Sequence, residues 1–298
     1  MNQKIHTFDL MIEPTNKCQL KCPTCFSHQD GRKKTFLKFH DFKQIIDKNG
    51  HLIRRISLYN YGEPLINPKI WMMVAYAKSK NIPYVKIATN GLLINKYSNE
   101  ILKSGLDYLS ISLDGATQKI YAKFRRKGRL DSIIKGTSKL VNMRNSILSR
   151  LRIEIQFIIM KHNEHQLLNI EKLARRLRVD FLRLKTVLIK NNEWSYLLPK
   201  DEIYSRYSGL KKTEICKKPL KELVINCDGT IIPCCYITGP AIASFNFGSI
   251  FDQTLQDVLN SKKYRDFALN CSTNKSNNPC CRNCFEGQAF LDHKVIKL

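Results

Sequence analysis

Three cysteines lie close together near the start of the chain, at Cys18, Cys22 and Cys25 in the stretch EPTNKCQLKCPTCF. Thiolates are soft ligands that suit zinc or an iron-sulfur cluster. A structural zinc site needs four protein ligands, usually as two separated pairs, and His28 is the nearest further candidate here. The spacing therefore favours a four-iron cluster in which the protein holds three irons and leaves the fourth open to another ligand.

Eight more cysteines follow residue 215, so that the chain has eleven in all. The N-terminus lacks the basic, apolar and small-residue order of a secretory signal, and cytosolic thiols stay reduced, so a disulfide framework is not expected. Metal binding or redox chemistry is the better interpretation. A zinc ribbon that uses Cys281 and Cys284 is one alternative.

The first cysteines follow the first strand of a predicted βα array. Six stretches rich in β-branched residues predict strands: HTFDLMIEP, RRISLYN, YVKIATN, DYLSISLD, RIEIQFIIM and DFLRLK. Amphipathic stretches between them predict helices near 40–48, 68–80, 96–104, 117–149 and 164–178. Strands separated by helices indicate a parallel sheet, doubly wound or curled toward a barrel, in which the carboxyl ends of the strands carry the chemistry.

The pattern changes after about residue 185. A helical stretch near 200–210 precedes Asp228-Gly229, which separates two apolar runs and predicts a β-hairpin. A further helix is predicted over about 253–268. We therefore predict a core domain at 1–190 and a C-terminal domain at 191–298, with the boundary between about 186 and 212.

The Cys-x3-Cys-x2-Cys motif after the first strand of a βα array resembles the signature of the radical S-adenosylmethionine (radical SAM) enzymes. The resemblance implies a partial (β/α)6 TIM-like barrel and a 4Fe-4S cluster whose open iron binds S-adenosyl-L-methionine. It also implies reductive cleavage of that molecule to a 5'-deoxyadenosyl radical, which takes a hydrogen atom from the substrate. Thr24 departs from the family, which often has an aromatic residue before the third cysteine, and Phe26 can compensate.

Two short segments extend the resemblance. Gly62, Glu63 and Pro64 after the second strand are similar to the family's GEP motif, which meets the amino group of the methionine moiety. An ammonium group needs acceptors, and a carboxylate is one. Asn90, in the Thr-Asn-Gly stretch after the third strand, matches a segment that borders the site.

The fourth strand and the segment after it complete the implied cofactor site. SISLDG resembles a strand that contacts S-adenosylmethionine, which implies Ser112 and Asp114 as contacts. In the segment YAKFRRKG, the resemblance implies that an arginine pairs with the carboxylate of the cofactor, a contact that suits a guanidinium group. Position favours Arg125 over Arg126.

The C-terminal cysteines resemble the SPASM/twitch appendage of radical enzymes. Cys216-x12-Gly229-x4-Cys234 and the ending Pro279-x-Cys281-x2-Cys284 fit its pattern. The resemblance implies a second, auxiliary 4Fe-4S cluster, held by Cys216, Cys234, Cys281 and Cys284. Cys280 is an alternative to Cys281 as a ligand, because the two residues are adjacent. The leftover thiols are interpreted as small buried residues, although one of them could donate a hydrogen atom to a product radical; they are Cys227, Cys235, Cys271 and Cys280.

The formal net charge is +25, but Lys and Arg are spread over the whole length without a basic tail. This distribution does not favour a nucleic-acid partner, although a zinc-stapled nucleic-acid-binding module is the alternative from another class. No apolar run reaches the roughly 20 residues that span a bilayer. The sequence thus predicts a cytoplasmic protein without a membrane partner.

The substrate is predicted less directly than the cofactors. The cluster motif begins at residue 18, which leaves no room for a preceding leader-peptide domain and favours a small, anionic substrate. Sugars, aminocyclitols and nucleotide-linked sugars are the expected types, with dehydrogenation, epimerisation or decarboxylation as the reaction; peptide or protein maturation is the alternative. The resemblance implies an electron donor such as flavodoxin or ferredoxin. Candidate acid-base groups near the fifth strand are His162, His165 and Glu154.

Overall fold

The computed structural model describes residues 7–29, 31–190, 192–208, 214–282, 284 and 292–298. The chain forms two compact units that each combine separate segments. The first unit contains residues 1–17, 26–87 and 212–288. The second unit contains residues 18–25, 88–211 and 289–298. The first cysteine loop therefore belongs to the second unit, and the C-terminal cysteines belong to the first.

The described elements alternate between strand and helix along most of the chain. The strands are β1 (Phe8–Ile12), β2 (Ile53–Ser57), β3 (Tyr84–Thr89), β4 (Tyr108–Ser112), β5 (Arg152–Ile159), β6 (Phe181–Thr186), β7 (Glu222–Ile225), β8 (Ile231–Ile232) and β9 (Asp292–Lys297). The helices are α1 (Phe39–Asn49), α2 (Ile70–Ser79), α3 (Ile94–Lys103), α4 (Gln118–Phe124), α5 (Leu130–Ser146), α6 (Leu167–Arg176), α7 (Ala241–Ser244), α8 (Leu255–Asn260) and α9 (Lys262–Thr273).

In the first unit, β1 pairs in parallel with both β2 and β7, and β2 pairs in parallel with β3. The short β8 turns back antiparallel to β7. Helix α1 places Phe42, Ile45 and Ile46 on one buried face, the spacing of an amphipathic helix. The carboxyl ends of β1, β2 and β7 therefore share one edge of the sheet.

In the second unit, β4, β5 and β6 pair in parallel, and β9 joins β6 antiparallel. Burial alternates along β6, where Leu182, Leu184 and Thr186 are buried and the residues that alternate with them are half-buried. This period of two is what a strand with one apolar face requires. The mostly parallel sheet confirms the predicted α/β class.

The predicted strands and helices of the βα array are all present, as is the hairpin around Asp228-Gly229. Two predictions for the C-terminal part were wrong in detail. Residues 200–208 hold only a 3-10 turn, Glu202–Tyr204, rather than a helix, and 209–213 lie outside the described residues. The helix predicted over 253–268 is two helices, because Ser261 has extended backbone and caps α9 through its side chain.

Strand β9 was not predicted, and its polar sequence DHKVIK explains why. Along the part of the chain that the structure describes, no helix has the length and apolar character needed to cross a membrane.

Candidate active site

The first cysteine loop is anchored by apolar packing. Leu20 and Cys22 are buried in one cluster with Phe124 and Met160, and Cys18 and Cys25 pack against its edge. A turn closes the second half of the loop, because the Cys25 amide donates to the Cys22 carbonyl at 3.2 Å. The buried residues fix the loop while two of its three thiols stay at the margin of the core.

Two side chains direct N–H groups at the thiols. Asn90 Nδ2 lies 3.9 Å from Cys18 Sγ, and Arg125 Nη1 lies 3.9 Å from Cys22 Sγ. Asn90 is itself held by its Oδ1, which accepts from the Leu92 amide at 3.1 Å. Donors of this kind stabilise a thiolate ligand. Three thiols with two facing donors therefore suit a cluster that the loop would hold through Cys18, Cys22 and Cys25.

Arg125 is paired with a carboxylate from the end of β4. Its Nε donates to Asp114 Oδ2 at 2.5 Å, and Asp114, which is 0% exposed, accepts the Ile158 amide on Oδ1 at 2.7 Å. Burial opposes the charged guanidinium, but Asp114 and Cys22 together raise the pKa of Arg125 above its usual value. Arg126 is exposed instead. The structure thus places the guanidinium group of Arg125, rather than the exposed side chain of Arg126, against a thiol of the cysteine loop.

The remaining predicted contacts of the second unit lie at strand ends. Ser112 is the last residue of β4 and sits opposite Gln156 of β5. The Thr-Asn-Gly stretch ends β3 in a turn in which Gly91 has a φ of +84°. A Cβ on Gly91 would lie 2.8 Å from the Ile133 side chain of α5, so only glycine lets this turn approach the helix.

Gly62, Glu63 and Pro64 form a tight turn in the first unit. Gly62 has a φ of +98°, and a Cβ there would lie 2.2 Å from the Thr15 carbonyl oxygen. The Glu63 amide donates to the Lys17 carbonyl at 2.7 Å, while Glu63 Oε1 accepts the Leu65 amide at 3.0 Å. One carboxylate oxygen thus caps the 3-10 turn Pro64–Ile66, and the contact of Glu63 with an amino group stays a prediction.

A buried carboxylate that sequence reasoning missed lies at the end of β1. Glu13 is 0% exposed and forms two hydrogen bonds with Arg32, at 2.8 and 2.9 Å. Its oxygens also accept the amides of Tyr61 at 3.3 Å and Cys227 at 3.2 Å. Glu13 therefore joins the segments after β1, β2 and β7. Burial and the neighbouring Glu13 raise the pKa of the Cys227 thiol, which keeps it neutral.

The C-terminal cysteines surround a cavity of about 200 Å³ in the first unit. It brings together all four predicted ligands, and Cys280 lies beside them with its Sγ 3.7 Å from Cys281 Sγ. Cys271 also lines the cavity. The sequence did not predict this, because Cys271 belongs to no spaced pair of cysteines. The six lining thiols are Cys216, Cys234, Cys271, Cys280, Cys281 and Cys284.

The donor set of this cavity suits a thiolate-bound cluster. Burial raises the pKa of the Cys216 thiol, so this group is protonated without a metal and loses its proton on ligation. Within the described ranges, no three His, Cys, Asp or Glu side chains are grouped around one point as for a single metal ion. A four-iron cube differs from a single ion because each of its irons takes one thiolate. The cavity would hold it through four of the six thiols.

Of the three acid-base candidates, Glu154 is a buried carboxylate whose hydrogen bonds join neighbouring strands. It is 0% exposed and accepts from Tyr108 Oη at 2.6 Å, Ser110 Oγ at 2.7 Å and Arg183 Nε at 2.6 Å. These contacts tie β4, β5 and β6 together. His162 is half-buried and its pKa is lowered by burial, whereas His165 is exposed.

Family models match both parts of the chain. Residues 12–153 match the radical SAM superfamily, and residues 216–285 match the iron-sulfur cluster-binding domain SPASM. The chain therefore contains a radical SAM domain, matched over slightly less than half of its length, and a C-terminal SPASM domain. Its cofactors are accordingly 4Fe-4S clusters and S-adenosylmethionine.

Particular relatives differ in how much of the chain they match. A probable GTP 3',8-cyclase of Methanococcus maripaludis is 30% identical over 145 residues, which is 47% of each chain. The chain thus spans about half the length of this curated relative. The tungsten-containing aldehyde ferredoxin oxidoreductase cofactor-modifying protein of Pyrococcus furiosus is 24% identical over 315 residues, covering 92% of this chain and 86% of that protein.

The fold is shared with solved structures. The crystal structure of Streptococcus suis SuiB bound to S-adenosylmethionine superposes with a TM-score of 0.71 at 18% identity, covering 89% of this chain and 68% of that one. This likeness confirms the partial-barrel fold that the resemblance to the radical SAM enzymes implied.

Proposed function

We propose that the protein cleaves S-adenosylmethionine reductively and uses the resulting 5'-deoxyadenosyl radical to take a hydrogen atom from a small anionic substrate. The observation that carries the proposal is the loop of three thiols faced by the N–H groups of Arg125 and Asn90. A 4Fe-4S cluster held there would supply the electron for the cleavage. Sugars, aminocyclitols and nucleotide-linked sugars are the proposed substrate types.

The chain's own residues would bind and orient the cofactor. Arg125 is a permanent cation whose Nε is held by Asp114, so its remaining N–H groups can pair with a carboxylate without first being ordered. Ser112 and Asn90, which both belong to the second unit, add polar groups at the end of β4 and directly after β3. We propose that Gly62, Glu63 and Pro64 supply acceptors for the amino group of the methionine moiety.

The substrate proposal rests on one face of β4, β5 and β6. Alternate residues of a strand share a face. On this face the register pairs Ser112 with Gln156, Gln156 with Arg183, and Ile158 with Lys185. Toward the amino ends of the strands, the face is filled by the buried contacts of Glu154, which include Arg183. Toward the carboxyl ends it carries the half-buried side chains of Ser112, Gln156 and Ile158 and the cationic side chain of Lys185.

This charge favours an anionic ligand. A relative that matches about half of the chain is named for GTP, an anionic nucleotide, which agrees with the same substrate class. Dehydrogenation, epimerisation and decarboxylation are the reaction types considered, and an electron donor such as flavodoxin or ferredoxin is the proposed protein partner.

The test uses anaerobically reconstituted protein with S-adenosylmethionine and a reductant. Deuterated nucleotides, sugar phosphates and aminocyclitols are supplied in turn, and mass spectrometry follows deuterium into 5'-deoxyadenosine. We expect transfer from one of these anionic or sugar-like classes and a rise in its KM in Lys185→Met. Transfer from a deuterated peptide, with none from the small molecules, would show that the substrate class is wrong.

A further inference from the structure

The cavity of the C-terminal cysteines contains two cationic side chains. Among the residues that the structure describes, its wall includes Lys218 and Lys275 but no Asp, Glu or His. Cysteines bind a metal as thiolates, so ligation adds negative charge to the cavity. The two lysines are thus placed where negative charge arises when a metal cluster is bound.

Lys275 is almost completely enclosed, with 1% of its surface exposed. It begins the 3-10 turn Lys275–Asn277 after α9, and its amide donates to the Glu214 carbonyl at 2.8 Å. The Asn274 side chain caps this turn by accepting the Ser276 amide at 3.0 Å. These main-chain contacts fix the direction of the Lys275 side chain into the cavity.

The ammonium group of Lys275 reaches the segment that holds the last predicted ligand. Its Nζ donates to the carbonyl oxygen of Cys284 at 2.6 Å. Lysine is rarely fully buried in proteins unless its charge is compensated, because an ammonium group loses much hydration energy on burial. Thiolate ligands in the same cavity would supply the opposite charge.

Lys218 approaches the cavity from another segment. It begins the 3-10 turn Lys218–Leu220, two residues after Cys216, and its Nζ lies 2.9 Å from Glu222 Oε1. Its side chain is 26% exposed. Because solvent and Glu222 screen the charge of Lys218, Lys275 has the larger electrostatic effect on the cavity.

We propose that Lys275, assisted by Lys218, balances the charge of the auxiliary iron-sulfur cluster and thereby raises its reduction potential. The potential of such a cluster depends on the net charge around it, on hydrogen bonds and on solvent exposure. Reduction adds one negative charge, which a fixed cation stabilises more strongly in a buried site than in water. Lys275 acts through the cluster and is therefore a positioning and electrostatic residue. This inference is independent of the substrate proposed above.

The test is a redox titration of the full chain without S-adenosylmethionine or substrate. In the background Cys18→Ala, Cys22→Ala and Cys25→Ala, only the auxiliary cluster remains, and its reduced form is followed by electron paramagnetic resonance. The midpoint potential is expected to fall in Lys275→Met, to fall by less in Lys218→Met and to change little in Lys275→Arg. Lys263→Met, an exposed lysine of α9, is the matched control and should leave it unchanged.

Iron content separates a charge effect from a packing effect. Loss of iron in Lys275→Met with retention in Lys275→Arg would also support the need for a cation. Retained iron with an unchanged potential in Lys275→Met would overturn the proposal, as would loss of iron in both variants. Because neither readout uses cleavage of S-adenosylmethionine, failure here is distinguishable from failure of the proposed function.

Discussion

At the scale of single residues, the position of the Arg125 guanidinium group is determined by its partners. Asp114, from the end of β4, fixes the Nε edge of the guanidinium, and the Nη1 edge faces Cys22. Its neighbour Arg126 has the same chemistry but an exposed side chain. The motif alone favoured Arg125 by position, and the burial of Asp114 provides a physical reason for that choice.

Replacing Arg125 should affect both stability and cofactor binding. Arg125→Met leaves Asp114 buried without its cation, and breaking a buried pair costs about 3 to 5 kcal/mol of unfolding free energy. Arg125→Lys keeps the charge but loses the fork of donors, which we expect to weaken S-adenosylmethionine binding by about tenfold to a hundredfold. Urea denaturation and equilibrium binding under anaerobic conditions measure the two effects.

The control for this pair is Arg126→Met. Exposed substitutions away from special features change stability by about 0.5 kcal/mol or less. If Arg126→Met weakened binding more than Arg125→Lys, the assignment of the carboxylate contact would pass to Arg126.

At the scale of elements, the buried contacts of Glu154 hold three strands together. Tyr108 and Ser110 come from β4, Glu154 from β5 and Arg183 from β6. The hydrogen bond to Glu154 and burial of the ring raise the pKa of Tyr108 well above its usual value, with burial the larger cause. Glu154 therefore stabilises the pairing of β4, β5 and β6. This structural role explains a carboxylate at its position in β5 without a catalytic role.

Glu154→Gln is expected to destabilise the fold strongly. It removes the negative charge while Arg183 stays in place, and because Arg183 is 25% exposed, the cost should lie near the lower end for buried pairs, about 3 kcal/mol. Urea denaturation gives the change in unfolding free energy. The matched control is Glu171→Gln, whose partner Arg175 is on the same exposed helix face.

Exposed pairs of this kind contribute about 0.5 kcal/mol or less. Equal losses for Glu154→Gln and Glu171→Gln would contradict the structural role assigned to Glu154.

At the scale of the whole molecule, the two cysteine sites belong to different compact units. The loop of Cys18, Cys22 and Cys25 is held by residues of the second unit, whereas the cavity of the SPASM domain is built from the first. The ligands of each site are thus supplied from within its own unit. We therefore expect the two clusters to be lost separately.

Iron and sulfide counting on anaerobically reconstituted protein tests this independence. The intact chain should bind about eight irons, if both clusters are four-iron cubes. Cys18→Ala with Cys22→Ala should lose about half of them and all formation of 5'-deoxyadenosine, and Cys216→Ala with Cys234→Ala should lose the other half. Cys227→Ala is the control, since this buried thiol lies outside the cavity, and it should keep all the iron. Loss of all iron in either double variant would contradict independent sites.

Local patterns were sufficient to predict much of this protein. The strands and helices of the βα array follow from hydrophobic period, and the first cysteine site follows from three thiols on one loop, where neighbours in sequence are neighbours in space. The break of the predicted 253–268 helix at Ser261 was missed because a serine is tolerated inside a helix as well as at its cap.

The tertiary structure alone decided which distant residues meet. Lys275 and Cys271 enter the C-terminal cavity, Asp114 holds Arg125, and Glu154 holds Arg183. No local spacing in the sequence marks the partner of any of these residues. Burial and charge at a site depend on how separate segments pack, whereas ligand spacing within a loop is determined by the chain itself. The sequence by itself therefore determined the cofactor class and the order of elements, and packing decided the electrostatic surroundings of each cluster site.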